Sequence, residues 1–119
     1  MYVYVTASSA EAKDVVIAMS EPVILAGSGR ISFMAERSVP DGITLVESGI
    51  VLGKTQGLSI GNALHKVTAS SLEPNGQFTV RKANVSEGDV WYARAYVICE
   101  KDGEIITIYS NEVKAVYAE

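Results

Sequence analysis

Apolar positions along this chain recur every second residue, in short runs that end at turn-forming residues. That period puts alternate side chains on opposite faces of an extended strand, and β-branched and aromatic residues supply most of the runs. The pattern predicts a first strand over Tyr2–Thr6. Asp14–Ala18 and Pro22–Ala26 follow as one bent strand or two short ones, since Val15, Val16 and Ile17 in succession disfavour a helix. Gly27-Ser28-Gly29 turns into a strand over Arg30–Arg37. Val39-Pro40-Asp41-Gly42 reads as a tight turn, with proline fixing φ early and glycine accepting positive φ late. Ile43–Leu52 is the next strand, and Gly49 inside it marks a bulge or a close contact. A polar, glycine-bearing stretch, Gly53–Asn62, separates it from a weak strand at Leu64–Ala69.

The second half repeats the alternation. Glu73-Pro74-Asn75-Gly76 is a turn, Gln77–Lys82 a strand, and Ser86-Glu87-Gly88-Asp89 a turn into Val90–Glu100. Lys101-Asp102-Gly103-Glu104 is a hairpin loop, because Asp-Gly suits the primed turns that match strand twist. Ile105–Tyr117 returns, broken near Ser110-Asn111. Seven to nine antiparallel strands at spacings of about 8–12 residues, with little helix, predict one all-β domain over residues 1–119, an immunoglobulin-like β-sandwich. Phe33, Val46, Ile50, Phe78, Trp91, Ala95, Val97 and Val113 are the expected core.

Composition narrows the function classes. With 119 residues, 48% hydrophobic and 20% charged, the chain is neither a disordered tail nor an acidic linker. Ten Lys+Arg against fourteen Asp+Glu give a net charge of −4. No window forms a basic cluster, so nucleic acid and anionic membrane are not expected partners. No apolar run reaches the roughly 18–20 residues of a membrane span. The N-terminus lacks a basic region and a hydrophobic stretch of signal-peptide length, which predicts a protein retained in its cell or one module of a longer exported chain. A single cysteine, Cys99, excludes an internal disulfide and a multi-cysteine zinc site, and a single histidine, His65, removes most metal and triad chemistry.

Val90-Trp91-Tyr92-Ala93-Arg94-Ala95-Tyr96-Val97, an Asp-Gly hairpin, and Ile108-Tyr109-Ser110-Asn111-Glu112-Val113 follow one another in the second half. Upstream lie Thr44-Leu45-Val46-Glu47-Ser48-Gly49-Ile50-Val51 and Gly76-Gln77-Phe78-Thr79-Val80, the latter leading to Val85-Ser86-Glu87-Gly88-Asp89. In that order, over residues 31–116, the segments resemble the "ExG", "GxFT", "YYxRAY" and "YxNEV" strands of fibronectin type III-like modules of bacterial cell-surface proteins. Val85 and Glu87 depart from the leucine and proline common in that pattern, and Trp91 from its tyrosine. The resemblance implies a spacer, adhesion or assembly module, extracellular or at the cell surface, with neighbouring modules and a protein or glycan partner. A carbohydrate-binding module using exposed aromatics and a decoration or tail domain of a bacteriophage virion are the alternatives.

No catalytic, metal-binding or cofactor-binding residue is expected. His65 has no second ligand nearby in sequence, and Cys99 reads as a small core residue. Gly27-Ser28-Gly29-Arg30 lacks the lysine and helix of a phosphate loop. Asp41, Glu47, Asp102 and Glu104 offer oxygens of the kind calcium takes, without a calcium-loop spacing. The constellation of interest is a sheet face. With Trp91, Ala93 and Ala95 inward, Tyr92, Arg94, Tyr96 and Ile98 turn outward together, a composition enriched in binding hot spots but more often a solvated face of cross-strand pairs. Glu47 is expected to join that face and pair with Arg94.

Overall fold

Among the described residues the alternation resolves into eight strands in two antiparallel sheets. The computed structural model describes residues 15–25, 27–69 and 75–117; the strand expected over Tyr2–Thr6, Asp14, Ala26 and the Glu73-Pro74 part of the second turn lie outside the described residues. The strands are β1 Val16–Met19, β2 Val23–Leu25, β3 Arg30–Ser38, β4 Thr44–Gly53, β5 His65–Thr68, β6 Asn75–Lys82, β7 Val90–Lys101 and β8 Glu104–Val116. In one sheet β1 and β2 pair in turn with the same side of β3, and β6 pairs with its other side. The other sheet has the order β5-β4-β7-β8. Asn75 and Gly76, expected in a turn, already pair with Ser38 and Arg37 as the start of β6. Among the described residues no helix is long and apolar enough to cross a membrane.

Local chemistry accounts for the breaks. Pro22, which has no N–H to donate, separates β1 from β2. In the hairpin between β7 and β8, Asp102 and Gly103 adopt φ of 53° and 81°, as a type I′ turn requires. In the turn before β7, the Asp89 amide donates to the Ser86 carbonyl (2.9 Å), and the Ser86 amide donates to the Asp89 carboxylate (2.9 Å).

Both sheets contribute inward residues to one core, including Ile31, Phe33, Ala35, Ile50, Leu52, Trp91, Ala93, Ala95, Val97 and Cys99. Phe78 and Val113 pack against it half-buried. Val46 corrects an expectation: it is 45% exposed. The reason is a bulge between Leu45 and Glu47; Gly49, expected to mark a bulge or a close contact, makes the close contact instead. The extra residue turns outward, and Leu45 takes the place against the core. A second bulge replaces the break expected in the last strand: Arg94 pairs with Glu112 and Tyr96 with Tyr109, so Ala95 alone faces Ser110 and Asn111. The Ser110 hydroxyl fills the gap by accepting the Ala95 amide (2.9 Å).

The chain's path has a direction. β1 starts opposite Ser38, the last residue of β3. Tyr117, just past β8, lies at the other end of β3, where its hydroxyl accepts the Gly29 amide (2.8 Å). The described chain therefore enters at one end of the molecule and leaves at the opposite end, about 26 Å away by strand rise along β3. β1 and β8 run in the same direction. Asn111 ties them: its side-chain oxygen accepts the Met19 amide (3.0 Å) and its side-chain nitrogen donates to the Met19 carbonyl (3.2 Å).

Candidate functional site

The outward face of the second sheet carries Glu47, Gly49, Val51 and Gly53 on β4 beside Ile98, Tyr96, Arg94 and Tyr92 on β7. The stretch expected to be a polar connection, Gly53–Asn62, folds back over this face. Leu58 is 3% exposed, and with Val51 and Tyr96 it forms a second apolar cluster supported by Ile60, Ala63, Tyr92, Ile98 and Tyr109. Gly53 makes the space, since a Cβ there would stand 2.5 Å from Leu58 Cδ2.

Polar groups hold the loop in place. The Glu112 carboxylate accepts the amides of Gly57 (3.1 and 3.2 Å) and Leu58 (2.9 Å). Tyr109 Oη accepts the Ile60 amide (3.0 Å). Arg94 donates from Nε to the Ser110 carbonyl (2.8 Å) and from Nη1 to the Leu58 carbonyl (3.3 Å), with its guanidinium 5.1 Å from the Tyr109 ring centroid. Within the loop, Asn62 accepts the Ser59 amide (2.8 Å) and donates to the Gly57 carbonyl (2.9 Å).

Glu47 sits at the other end of the same face. The Tyr96 hydroxyl donates to its carboxylate at 2.6 Å, and Lys66 on β5 pairs with it at 3.0 Å. The Tyr96 hydrogen bond first, then Lys66, holds the Glu47 carboxyl below the usual carboxylate range. Burial, reinforced by Glu47, pushes the Tyr96 phenol up to about 12. Gly49 lies beneath: a Cβ there would collide with the Val67 carbonyl oxygen and stand 2.9 Å from the Tyr96 hydroxyl.

Two expectations for this face are corrected. Glu47 and Arg94 do share it, but they do not pair. Glu47 faces Ile98, whereas Arg94 faces Val51, four residues further along β4 and about 13 Å away by strand rise. The face turned outward is also covered: Tyr96 is fully buried, Tyr92 and Arg94 are half-buried, and the Arg94 guanidinium lies over Tyr109. Leu58 was not marked by the sequence pattern, and Tyr109 and Glu112 stood there only as motif positions, without a role. The usable signal was Leu58 and Ile60, two large apolar residues inside a polar stretch.

The remaining candidates are dispersed. Cys99 is fully buried, which pushes its thiol up from its ordinary range. His65 is exposed at the start of β5. Among the described residues no three His, Cys, Asp or Glu side chains are grouped as metal ligands would be. A cleft of about 410 Å³ opens between β2 and β8, beside Pro22, Ile24 and Val113, and one of about 360 Å³ between β5 and β6, beside Val67 and Phe78. Neither is lined by a histidine or a cysteine. The chain matches no protein-family model, no curated protein and no solved structure.

Proposed function

We propose that this chain is a non-catalytic module with the fibronectin type III-like form of the immunoglobulin-like sandwich, serving as an in-line spacer or assembly element of a bacterial surface or exported protein. The observation that carries the reading is the path of the described residues, entering at one end of β3 and leaving at the other, with β1 and β8 side by side in the same direction. Tension applied through the two ends loads β1 against β8 and β3 in shear, so many contacts must yield together. The grouping of β1, β2, β3 and β6 against β5, β4, β7 and β8 supports the fold assignment. So does the use made of the motif residues: Glu47, Gly49, Arg94, Tyr96, Tyr109 and Glu112 all hold the loop or the sheet face together. The surface location rests on the resemblance of residues 31–116.

A sugar platform needs an exposed aromatic ring. Trp91 is 6% exposed, and Tyr96 lies buried under the loop, so the carbohydrate-binding reading gains no support. A bacteriophage virion module would share the in-line geometry, and β-sandwich repeats flanking this segment in its gene separate the two settings. The mechanical reading is tested by force spectroscopy on the chain flanked by carrier domains. Unfolding should require a single large force that Asn111→Ala lowers and Val67→Ala, on β5, does not. Equal sensitivity to both variants, or to neither, overturns it.

A further inference from the structure

Among the described residues β5 and β6 are the outer strands of their sheets, and Trp91, the second residue of β7, is approached by side chains from both sheets. Lys54 follows β4 and Lys82 closes β6, so they come from opposite sheets, yet both place Nζ 4.9 Å from the centroid of the Trp91 ring. His65, the first residue of β5, lies with its ring 5.8 Å from the same indole at an interplanar angle of 33°. One cation over an indole is attracted by its π electrons. A second shares that density while repelled by the first, because the two nitrogens are at most about 10 Å apart. Among the described residues no carboxylate pairs with either lysine; Glu47 is taken by Lys66 on the outward face. Trp91 is more than nine-tenths buried, and its indole N–H has no acceptor among the described residues. The chain as a whole carries a net charge of −4, so this rim concentrates unneutralised positive charge and an unused donor against the overall balance.

We propose that this rim binds an oxyanion: a sulfate, phosphate or carboxylate group, free or carried on a polyanionic saccharide. Lys54 and Lys82 supply the charge. Lys82 donates one hydrogen bond to the Ala83 carbonyl (2.6 Å) and keeps two further donors. His65 adds an imidazole N–H. The site is independent of the in-line role and does not use the loop-covered face.

Trp91 is the sole tryptophan, so its fluorescence and its indole ¹H–¹⁵N signal report on this rim alone. Sodium sulfate and inorganic pyrophosphate are titrated into the full chain with sodium chloride holding ionic strength constant. The expected result is a saturable shift of the indole signal, weakened by about tenfold or more in Lys54→Gln/Lys82→Gln and unchanged in Lys114→Gln, a lysine on β8. Should the double variant melt at a lower temperature, Lys54→Gln alone, at an exposed position, carries the comparison. Dextran sulfate saturating at a lower sulfate-group concentration than the free ion assigns the ligand to a polymer; equal concentrations assign it to the free ion. A linear response matching chloride, or full binding by a normally melting Lys54→Gln/Lys82→Gln protein, overturns the proposal.

Discussion

Replacing Gly49 by alanine should destabilise the protein, although in an unconstrained strand the same change is favourable by roughly 0.5–1 kcal/mol. The new Cβ collides with the Val67 carbonyl oxygen on β5 and stands 2.9 Å from the Tyr96 hydroxyl. The first neighbour is backbone in a paired strand, and the second belongs to a fully buried ring, so neither can withdraw freely. Overpacking of this kind costs about 1–3 kcal/mol. Displacing Tyr96 also weakens its 2.6 Å hydrogen bond to the Glu47 carboxylate, a charged bond worth about 1.5–3 kcal/mol. Offsetting the propensity gain leaves a net loss of about 2–4 kcal/mol, on the order of 10 °C in Tm for a domain of this size. Urea denaturation of the wild type, Gly49→Ala, Tyr96→Phe and the double variant forms the cycle. Without the hydroxyl, the glycine substitution should cost about 1–2 kcal/mol less, leaving the part due to Val67. A neutral or stabilising Gly49→Ala, or an identical cost in both tyrosine backgrounds, would refute the close approach of Tyr96 to β4.

Glu112→Ala removes the acceptor for the Gly57 and Leu58 amides. Those two amides should lose protection in hydrogen exchange while β7 amides keep theirs, with a global loss of about 1–2 kcal/mol after allowance for solvent screening. Trp91→Ala should cost about 3–5 kcal/mol as a buried aromatic truncation, and a loss under about 1 kcal/mol in denaturant melts would place the indole outside the core. The Tyr96 phenol is raised to about 12 from an unfolded value of 10.0, so its contribution is complete below pH 10 and is lost as pH rises through 12. Denaturation at pH 9 to 11.5 should show a shallower alkaline decline for Tyr96→Phe than for the wild type. At the acid end Glu47 has the opposite sign: its carboxyl is lowered from 4.5, so its contribution is present above that value and is lost as pH falls through the folded one. Glu47→Gln should flatten the acid limb of the stability profile.

What the sequence determined by itself is the strands of the described residues, to within their ends, and the inward face of most of the expected core, Val46 excepted. Period-two alternation is a property of one extended segment, and positive φ at Asp102-Gly103 belongs to a single turn, so both are legible locally. Phe33, Ile50, Trp91, Ala95 and Val97 are accordingly buried where alternation puts them. Register is not local. It depends on where each pairing starts and on how many residues each partner strand contributes: the extra residue at Val46 turns that side chain outward, the one at Ser110-Asn111 shifts the β7–β8 pairing, and the β4–β7 register puts Arg94 opposite Val51, four residues beyond Glu47. The covering of the sheet face is less local still. Leu58 is held by Glu112, 54 residues away, and Ile60 by Tyr109, 49 residues away. Alternation could turn Tyr92, Arg94 and Tyr96 outward, but only the tertiary structure decided that outward means under a loop. Gly53 there leaves space for Leu58, and apolar burial together with distant hydrogen-bond partners outweighs exposure of the loop to water.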